Sequence, residues 1–194
     1  MFHLITEFEN KVAEFFGSPY AVAIDSCTHA LELCLRYNEV KVSSCPNHTY
    51  LSVPLTFKKL GITWTWDHEN WQESYQLGNT NIIDGATMWR NNSYIAGTFT
   101  CISFQFQKHL SLGRGGMILT DNKQAYQDLI KMSYDGRIRG VSWAQQEINS
   151  MGYHYYMTPE TAELGLKKLK HAIKTSLTPW DYTNYPDLTK ILKI

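Results

Sequence analysis

Apolar residues recur at two different spacings along this chain of 194 residues. Residues 4–16 place an apolar side chain every three or four positions, which is the spacing of an amphipathic helix. Residues 20–24 form a short apolar run, and residues 62–66 alternate strictly between apolar and polar, as strands do. Helix-like and strand-like patterns alternate along the chain as far as residue 133. The sequence therefore predicts alternating strands and helices.

The predicted strands are residues 20–24, 40–44, 62–66, 81–84, 101–106 and 116–120. The predicted helices are residues 4–16, 29–36, 51–60 and 122–133, with a fifth that begins after the capping residue Thr158. Residues 67–80 are predicted to be an irregular surface segment with a short helix, and residues 179–194 a loosely organised tail that ends in a short basic helix. Because strands and helices alternate, the predicted fold is α/β, a mostly parallel open sheet flanked by helices on both faces.

Composition narrows the classes of function. Lysine plus arginine equals aspartate plus glutamate, at 18 each, so the net charge argues against nucleic acid or an anionic membrane as a partner. No apolar run approaches the length of a membrane span, and the first residues do not resemble a secretion signal, so the predicted location is the cytoplasm. The four cysteines are dispersed and predict no metal site.

Three features are candidates for chemistry. Lys108 lies between two predicted strands, and a lone lysine in such a loop is more often a surface charge. Asp84 ends a short apolar strand, where a carboxylate either caps a helix or faces a ligand. Residues 25–28 connect a strand to a helix N-terminus, which is where α/β proteins hold phosphate, although every strand–helix unit has such a turn.

Seven short stretches nevertheless occur together, in an order and at a spacing typical of one family. They are FE (8–9) with FFG (15–17), AVAIDSCT (21–28) with AL (30–31), PNHTY (46–50), IIDGA (82–86), SF (103–104) with Lys108, GRGG (113–116), and GYHYYMT (152–158) with Ala162 and GL (165–166). Together they resemble the DegT/StrS type of pyridoxal-phosphate (PLP)-dependent sugar aminotransferases, within the aspartate aminotransferase fold group. The resemblance implies the large domain of a fold-type I PLP enzyme.

The resemblance also implies a role for each matching residue. Lys108 stands at the position of the lysine that forms the Schiff base with PLP and moves the proton during transfer. Asp84 stands at the position of the carboxylate beside the pyridine nitrogen. The phosphate is expected to bind the backbone N–H groups of Cys27 and Thr28, the Thr28 hydroxyl and Ser103. Tyr50 is expected to lie over the cofactor ring.

Four positions depart from the family pattern. Cys27 replaces a glycine, so a side chain stands close to the expected phosphate. Thr87 replaces a glutamine near the phenolic oxygen of PLP and is too short to make the same contact. His154 replaces an asparagine that reaches the phosphate from the other subunit. Arg114 replaces an acidic residue. The departures predict a divergent substrate site around the same cofactor chemistry.

The implied function is transfer of an amino group from glutamate to a keto group of a nucleotide-linked sugar, in a homodimer with the active site at the interface. Residues 1–194 are expected to form one PLP-binding large domain, with residues 158–194 the start of the connecting helix plus a tail. The family's smaller C-terminal domain and an extra N-terminal segment are expected to be absent. Two alternatives stay open: a non-catalytic PLP-binding or regulatory homologue, and one half of a split aminotransferase.

Overall fold

The protein, seen here in a computed structural model, is described by that structure over residues 2–193. These residues form a five-stranded sheet, a two-stranded sheet and the helices around them. The strands are β1 Tyr20–Ile24, β2 Val42–Pro46, β3 Thr63–Asp67, β4 Tyr75–Gln76, β5 Ile82–Asp84, β6 Phe99–Ser103 and β7 Gly116–Thr120. The helices are α1 Phe2–Phe16, α2 Cys27–Tyr37, α3 Ser52–Leu60, α4 Lys123–Ser133, α5 Pro159–Ala172 and α6 Leu188–Ile191, and single 3-10 turns cover Trp143–Gln145 and Tyr182–Asn184.

The large sheet has the strand order β1-β7-β6-β5-β4. Only β5 and β6 run parallel in it; within residues 2–193, its other three pairings are antiparallel. The expectation of a mostly parallel sheet is therefore wrong. Two of the antiparallel pairings involve β7, which follows β6 after the loop of residues 104–115 and runs against both of its neighbours. The third joins the edge strand β4 to β5. The separate pair of β2 and β3 is parallel.

Helices cover both faces of the large sheet, as expected. Successive side chains of a strand point to opposite faces, and β1 shows the result. Val22 and Ile24 pack with α2 and α4 in one buried cluster. Ala21 and Ala23 pack with α1 and α5 in another. Among residues 2–193 there is no helix both long enough and apolar enough to cross a membrane.

Two segments are better ordered than the sequence predicts. Within residues 67–80, Trp71, Tyr75 and Leu77 are buried, and β4 pairs with β5 at the edge of the large sheet. The predicted tail is also anchored, since Leu188 is buried and its backbone N–H donates to the Asn47 carbonyl at 2.9 Å. The predicted short basic helix is α6.

A buried ion pair joins α1 to the loop after α4. Nη1 of Arg139 donates to both carboxylate oxygens of Glu9, at 2.8 and 3.1 Å, and the Ala23 N–H donates to the same carboxylate at 2.8 Å. Both side chains are almost fully buried. Burial raises the pKa of Glu9, and Arg139 opposes that rise. The pair therefore holds the loop and the middle of β1 against α1.

Replacing Arg139 by methionine is expected to lower the free energy of unfolding by about 3–5 kcal/mol, because the Glu9 carboxylate stays buried without its partner. Lys167→Met is the matched control. It removes the cation from an exposed pair, Lys167 with Glu163 at 2.6 Å, and is expected to cost at most about 0.5 kcal/mol. Urea denaturation measures both. Similar small losses in the two variants would contradict this account of the buried pair.

Candidate active site

A cavity of about 360 Å³ opens at one edge of the large sheet. It lies where β1, β5 and β6 end and where β7 begins. Its walls come from the segments that follow or precede these strand ends. They include Ser26 to His29, Asp84 with Ala86, Ser103, Lys108, and Gly115.

Strand register brings these segments to the same edge. Gly116 of β7 pairs with Ile24 of β1 on one side and with Ser103 of β6 on the other. A Cβ atom on Gly116 would lie 2.5 Å from the backbone nitrogen of Cys27. Only glycine therefore allows the turn before α2 to approach β7 so closely.

The N-terminus of α2 points its first turn at the cavity wall. The Ser26 side chain caps the helix by accepting from the His29 N–H at 3.3 Å. The backbone N–H groups of Cys27 and Thr28 belong to the first turn of the helix, where N–H groups have no acceptor within the helix itself. The hydroxyls of Thr28 and Ser52 lie 2.8 Å apart in the same wall. This arrangement suits a bound anion such as phosphate.

The Cys27 side chain fits without blocking this turn. Its Sγ donates to the Cys101 carbonyl at 3.6 Å, towards the sheet. Burial raises the pKa of Cys27 well above its usual value, with Asp84 adding to the effect and Lys108 opposing it. The thiol therefore remains neutral and adds no negative charge to the anion site.

Asp84 is 5% exposed at the end of β5. Its carboxylate accepts from the Tyr75 hydroxyl at 2.6 Å and from the Ala86 N–H at 2.9 Å. Burial raises its pKa; the two hydrogen bonds and the nearby Lys108 charge oppose that rise. The Tyr75 hydroxyl also contacts Thr49. Tyr75 was not predicted as a site residue, because it lies in a polar segment where the alternation of Tyr75, Gln76 and Leu77 is too short to indicate a strand.

Lys108 is half-buried in the loop between β6 and β7. Its Nζ donates to the Tyr185 hydroxyl at 3.2 Å and lies 4.3 Å from the centre of the Trp180 ring. Burial lowers the pKa of Lys108, and Asp84 and Cys27 partly offset this. A lowered pKa increases the fraction of neutral amine, the form that acts as a nucleophile.

A charged cluster forms the rim. Asp25 accepts from Arg114 at 2.7 Å and lies 2.6 Å from Nδ1 of His29. The His29 ring stacks on Tyr155 with ring centres 3.6 Å apart. Arg114 was expected from the sequence to mark a departure from the family pattern, whereas His29 was predicted only as a helix residue.

The structure thus brings six of the eight predicted site residues to one cavity: Cys27, Thr28, Tyr50, Asp84, Ser103 and Lys108. Tyr50 is 59% exposed at its mouth. Thr87 lines only small adjoining cavities, and its hydroxyl donates to the Glu73 carbonyl at 2.7 Å. His154 is exposed and does not line this cavity. Its Nδ1 lies 3.1 Å from a carboxylate oxygen of Asp135.

The residues present fit PLP. A primary amine, a buried carboxylate and an anion-binding helix N-terminus line the same cavity, and these match the aldehyde, the pyridine nitrogen and the phosphate of that cofactor. A neutral thiol beside the helix N-terminus does not oppose an anion.

Comparison with known proteins supports this fit. The model of the DegT/DnrJ/EryC1/StrS aminotransferase family matches residues 2–63 and 86–178. The uncharacterized protein MJ1066 of Methanocaldococcus jannaschii is 33% identical, and the spore coat polysaccharide biosynthesis protein SpsC of Bacillus subtilis is 23% identical; each match covers 86% of this chain and 56% of the relative. The PLP form of Spr1654 from Streptococcus pneumoniae, described as a sugar aminotransferase, superposes with a TM-score of 0.72 at 19% identity, covering 88% of this chain and 60% of that one. The chain therefore spans just over half the length of the curated relatives it matches.

The raised pKa of Asp84 predicts a pH dependence of stability. Just above pH 3.8 the folded state keeps a proton that the unfolded state releases, so stability falls as the pH rises through the folded-state pKa. Relative to Asp84→Asn, the free energy of unfolding of the protein without cofactor should fall by about 1.4 kcal/mol for each unit by which burial raises the pKa of Asp84. Urea denaturation from about pH 3.5 to about pH 7, a range that lies on both sides of the usual pKa of a carboxyl group, measures the difference.

Tyr75→Phe sharpens this test. It removes a hydrogen bond that lowers the pKa of Asp84, so the loss of stability with rising pH should become larger. A difference between the Asp84→Asn variant and the unmodified protein that is independent of pH would contradict the expected burial effect.

Proposed function

This chain belongs to the DegT/DnrJ/EryC1/StrS aminotransferase family, and we propose that it takes part in PLP-dependent amino transfer to a sugar. The observation that carries the proposal is one cavity shared by Lys108, Asp84 and the N-terminus of α2. A buried carboxylate and a desolvated amine both cost stability, which favours a functional reason for keeping them.

Each residue has a specific task in this proposal. Lys108 supplies the amine that bonds to the cofactor and later moves a proton at the reacting carbon. Asp84, fixed by Tyr75 and the Ala86 N–H, balances positive charge on the pyridine nitrogen. Thr28 and Ser103 hold the phosphate together with the free N–H groups of α2. When bound, PLP supplies the electron sink that makes the transfer possible.

The proposed donor is glutamate and the proposed acceptor a keto group of a nucleotide-linked sugar. The names of SpsC, a polysaccharide biosynthesis protein, and of Spr1654, a sugar aminotransferase, support a sugar acceptor. Arg114 and His29 at the rim add donors that suit an anionic substrate. The donor and the acceptor are both part of the proposal.

We propose a homodimer with the active site at the interface. The loop after α4 supports it, because Ile138, Trp143 and Met151 are large apolar side chains exposed there. The outward position of His154 also fits a residue that reaches the partner's phosphate. A cytoplasmic location is part of the same proposal, and the four free cysteines support it.

Lys108→Ala tests the central role. The unmodified protein should turn yellow with PLP and keep the label after borohydride reduction, whereas Lys108→Ala should retain less than about 1% of the label because its amine is gone. Lys167→Ala, which removes an exposed lysine, is the control and should label normally. Adding glutamate should abolish the yellow band as the amino group moves to the cofactor and 2-oxoglutarate leaves.

The outcomes separate the open alternatives. A protein that never takes up PLP contradicts the proposed function. A yellow protein whose spectrum ignores glutamate favours a non-catalytic binder. A response to glutamate that needs a second protein favours a split enzyme.

Mixing two variants tests the interface. His154→Ala should bind PLP more weakly, and Lys108→Ala cannot bond to it. If His154 acts across the interface, subunit exchange between them creates mixed dimers with one complete site each, and about one quarter of all sites should regain normal PLP affinity. Absorbance titration of the mixture measures this. If the PLP titration of the mixture equals the average of the titrations of the two separate variants, the assignment of His154 is contradicted.

A further inference from the structure

Residues 179–193 form a strap across the cavity, and the strap is held at two places. At its start, the Glu73 N–H donates to the Trp180 carbonyl at 2.9 Å, and the Tyr182 N–H donates to the Trp71 carbonyl at 3.2 Å. Further along, Asn47 donates through its side chain to Asp187 at 3.1 Å. The strap is therefore fixed on both sides of the residues between these points.

Tyr185 lies between the two anchors and faces the cavity. Its carbonyl lies 2.8 Å from Nδ1 of His48, which fixes its backbone. Its ring packs against Trp71 and Trp180, with ring centres 5.7 and 5.9 Å away. Its hydroxyl is thereby directed to Nζ of Lys108, 3.2 Å away.

We propose that Tyr185 is a positioning residue for Lys108, and that the strap exists in part to hold its hydroxyl against the reacting amine. The inference rests on the proposed function of Lys108. The family match ends at residue 178, so the likeness to the family does not assign this contact.

The chemistry of a phenol suits this task in either protonation state of lysine. Its oxygen accepts from the ammonium form, and its O–H donates to the neutral amine. Burial raises the pKa of Tyr185, with Asp84 and Cys27 adding to the effect, so the hydroxyl keeps its proton. The Trp180 ring, whose centre lies 4.3 Å from Nζ, favours the cation through its π face.

A restrained lysine binds its cofactor more tightly. A free lysine side chain loses rotamer freedom on attachment, and this loss weakens binding. A side chain already held by Tyr185 has lost that freedom beforehand. The other titratable groups that line the same cavity are Asp84, Cys27, His29, Tyr50 and Arg114. Asp84 and Cys27 raise the pKa of Lys108, and any effect of Tyr185 adds to theirs.

The test compares Tyr185→Phe with Tyr182→Phe. Both variants lose one hydroxyl from a tyrosine of the strap and keep the ring. The Tyr182 ring packs against His48, and in the part of the chain from 2 to 193 its hydroxyl makes no contact with Lys108. Unfolding by urea first establishes that both variants fold.

The first readout needs no cofactor. Acetic anhydride labels neutral amines, and mass spectrometry follows the labelling of Lys108 against pH. Losing the hydroxyl removes an acceptor from the ammonium form, so the midpoint of labelling should fall by about 0.5–1 pH unit in Tyr185→Phe. Tyr182→Phe should keep the midpoint of the unmodified protein.

The second readout is PLP affinity from absorbance titration, which should weaken about three- to tenfold in Tyr185→Phe only. An unchanged labelling midpoint in Tyr185→Phe, or equal shifts in both variants, would overturn the inference. If the unmodified protein binds no PLP, the proposed function fails. The labelling midpoint then still decides whether Tyr185 holds Lys108.

Discussion

The candidate site depends above all on the register of β6 between β5 and β7. Parallel pairing of β6 with β5 aligns Asp84 with Cys101, and antiparallel pairing with β7 aligns Ser103 with Gly116. The second pairing also places the loop that carries Lys108 at the edge of the sheet where Asp84 lies. A slip of one residue would turn every side chain to the other face of the sheet. Register is therefore what turns dispersed sequence motifs into one cavity.

Gly116 extends this constraint to α2. Since a side chain there would collide with the backbone of Ser26 and Cys27, glycine lets the helix N-terminus meet the ends of β6 and β5. The anion site and the carboxylate then share a wall with the lysine. Burial acts on both charged groups in opposite directions, since it raises the pKa of Asp84 and lowers that of Lys108. Their mutual attraction offsets part of each change.

Much of this could be predicted from sequence, for identifiable reasons. The strands β1 and β7 follow from apolar runs bounded by turn residues, and α5 from the cap at Thr158. The residues gathered in the cavity were expected from the family resemblance that the seven short motifs carry. Strand direction could not be predicted, because an apolar run reads the same in parallel and antiparallel pairing. Tyr75 and Tyr185 were missed because both lie in polar segments whose order comes from contacts distant in sequence, with Thr49 and Asp84 for one and with Lys108 for the other.

Lys108 is the amine proposed to bond to PLP, and the position of that bond is the most direct test of the proposal. Protein incubated with PLP, reduced with borohydride and digested with trypsin can be mapped by mass spectrometry. We expect a single major modified peptide, in which Lys108 carries the cofactor. Modification spread over exposed lysines such as Lys167 and Lys123, with Lys108 unlabelled, would contradict it.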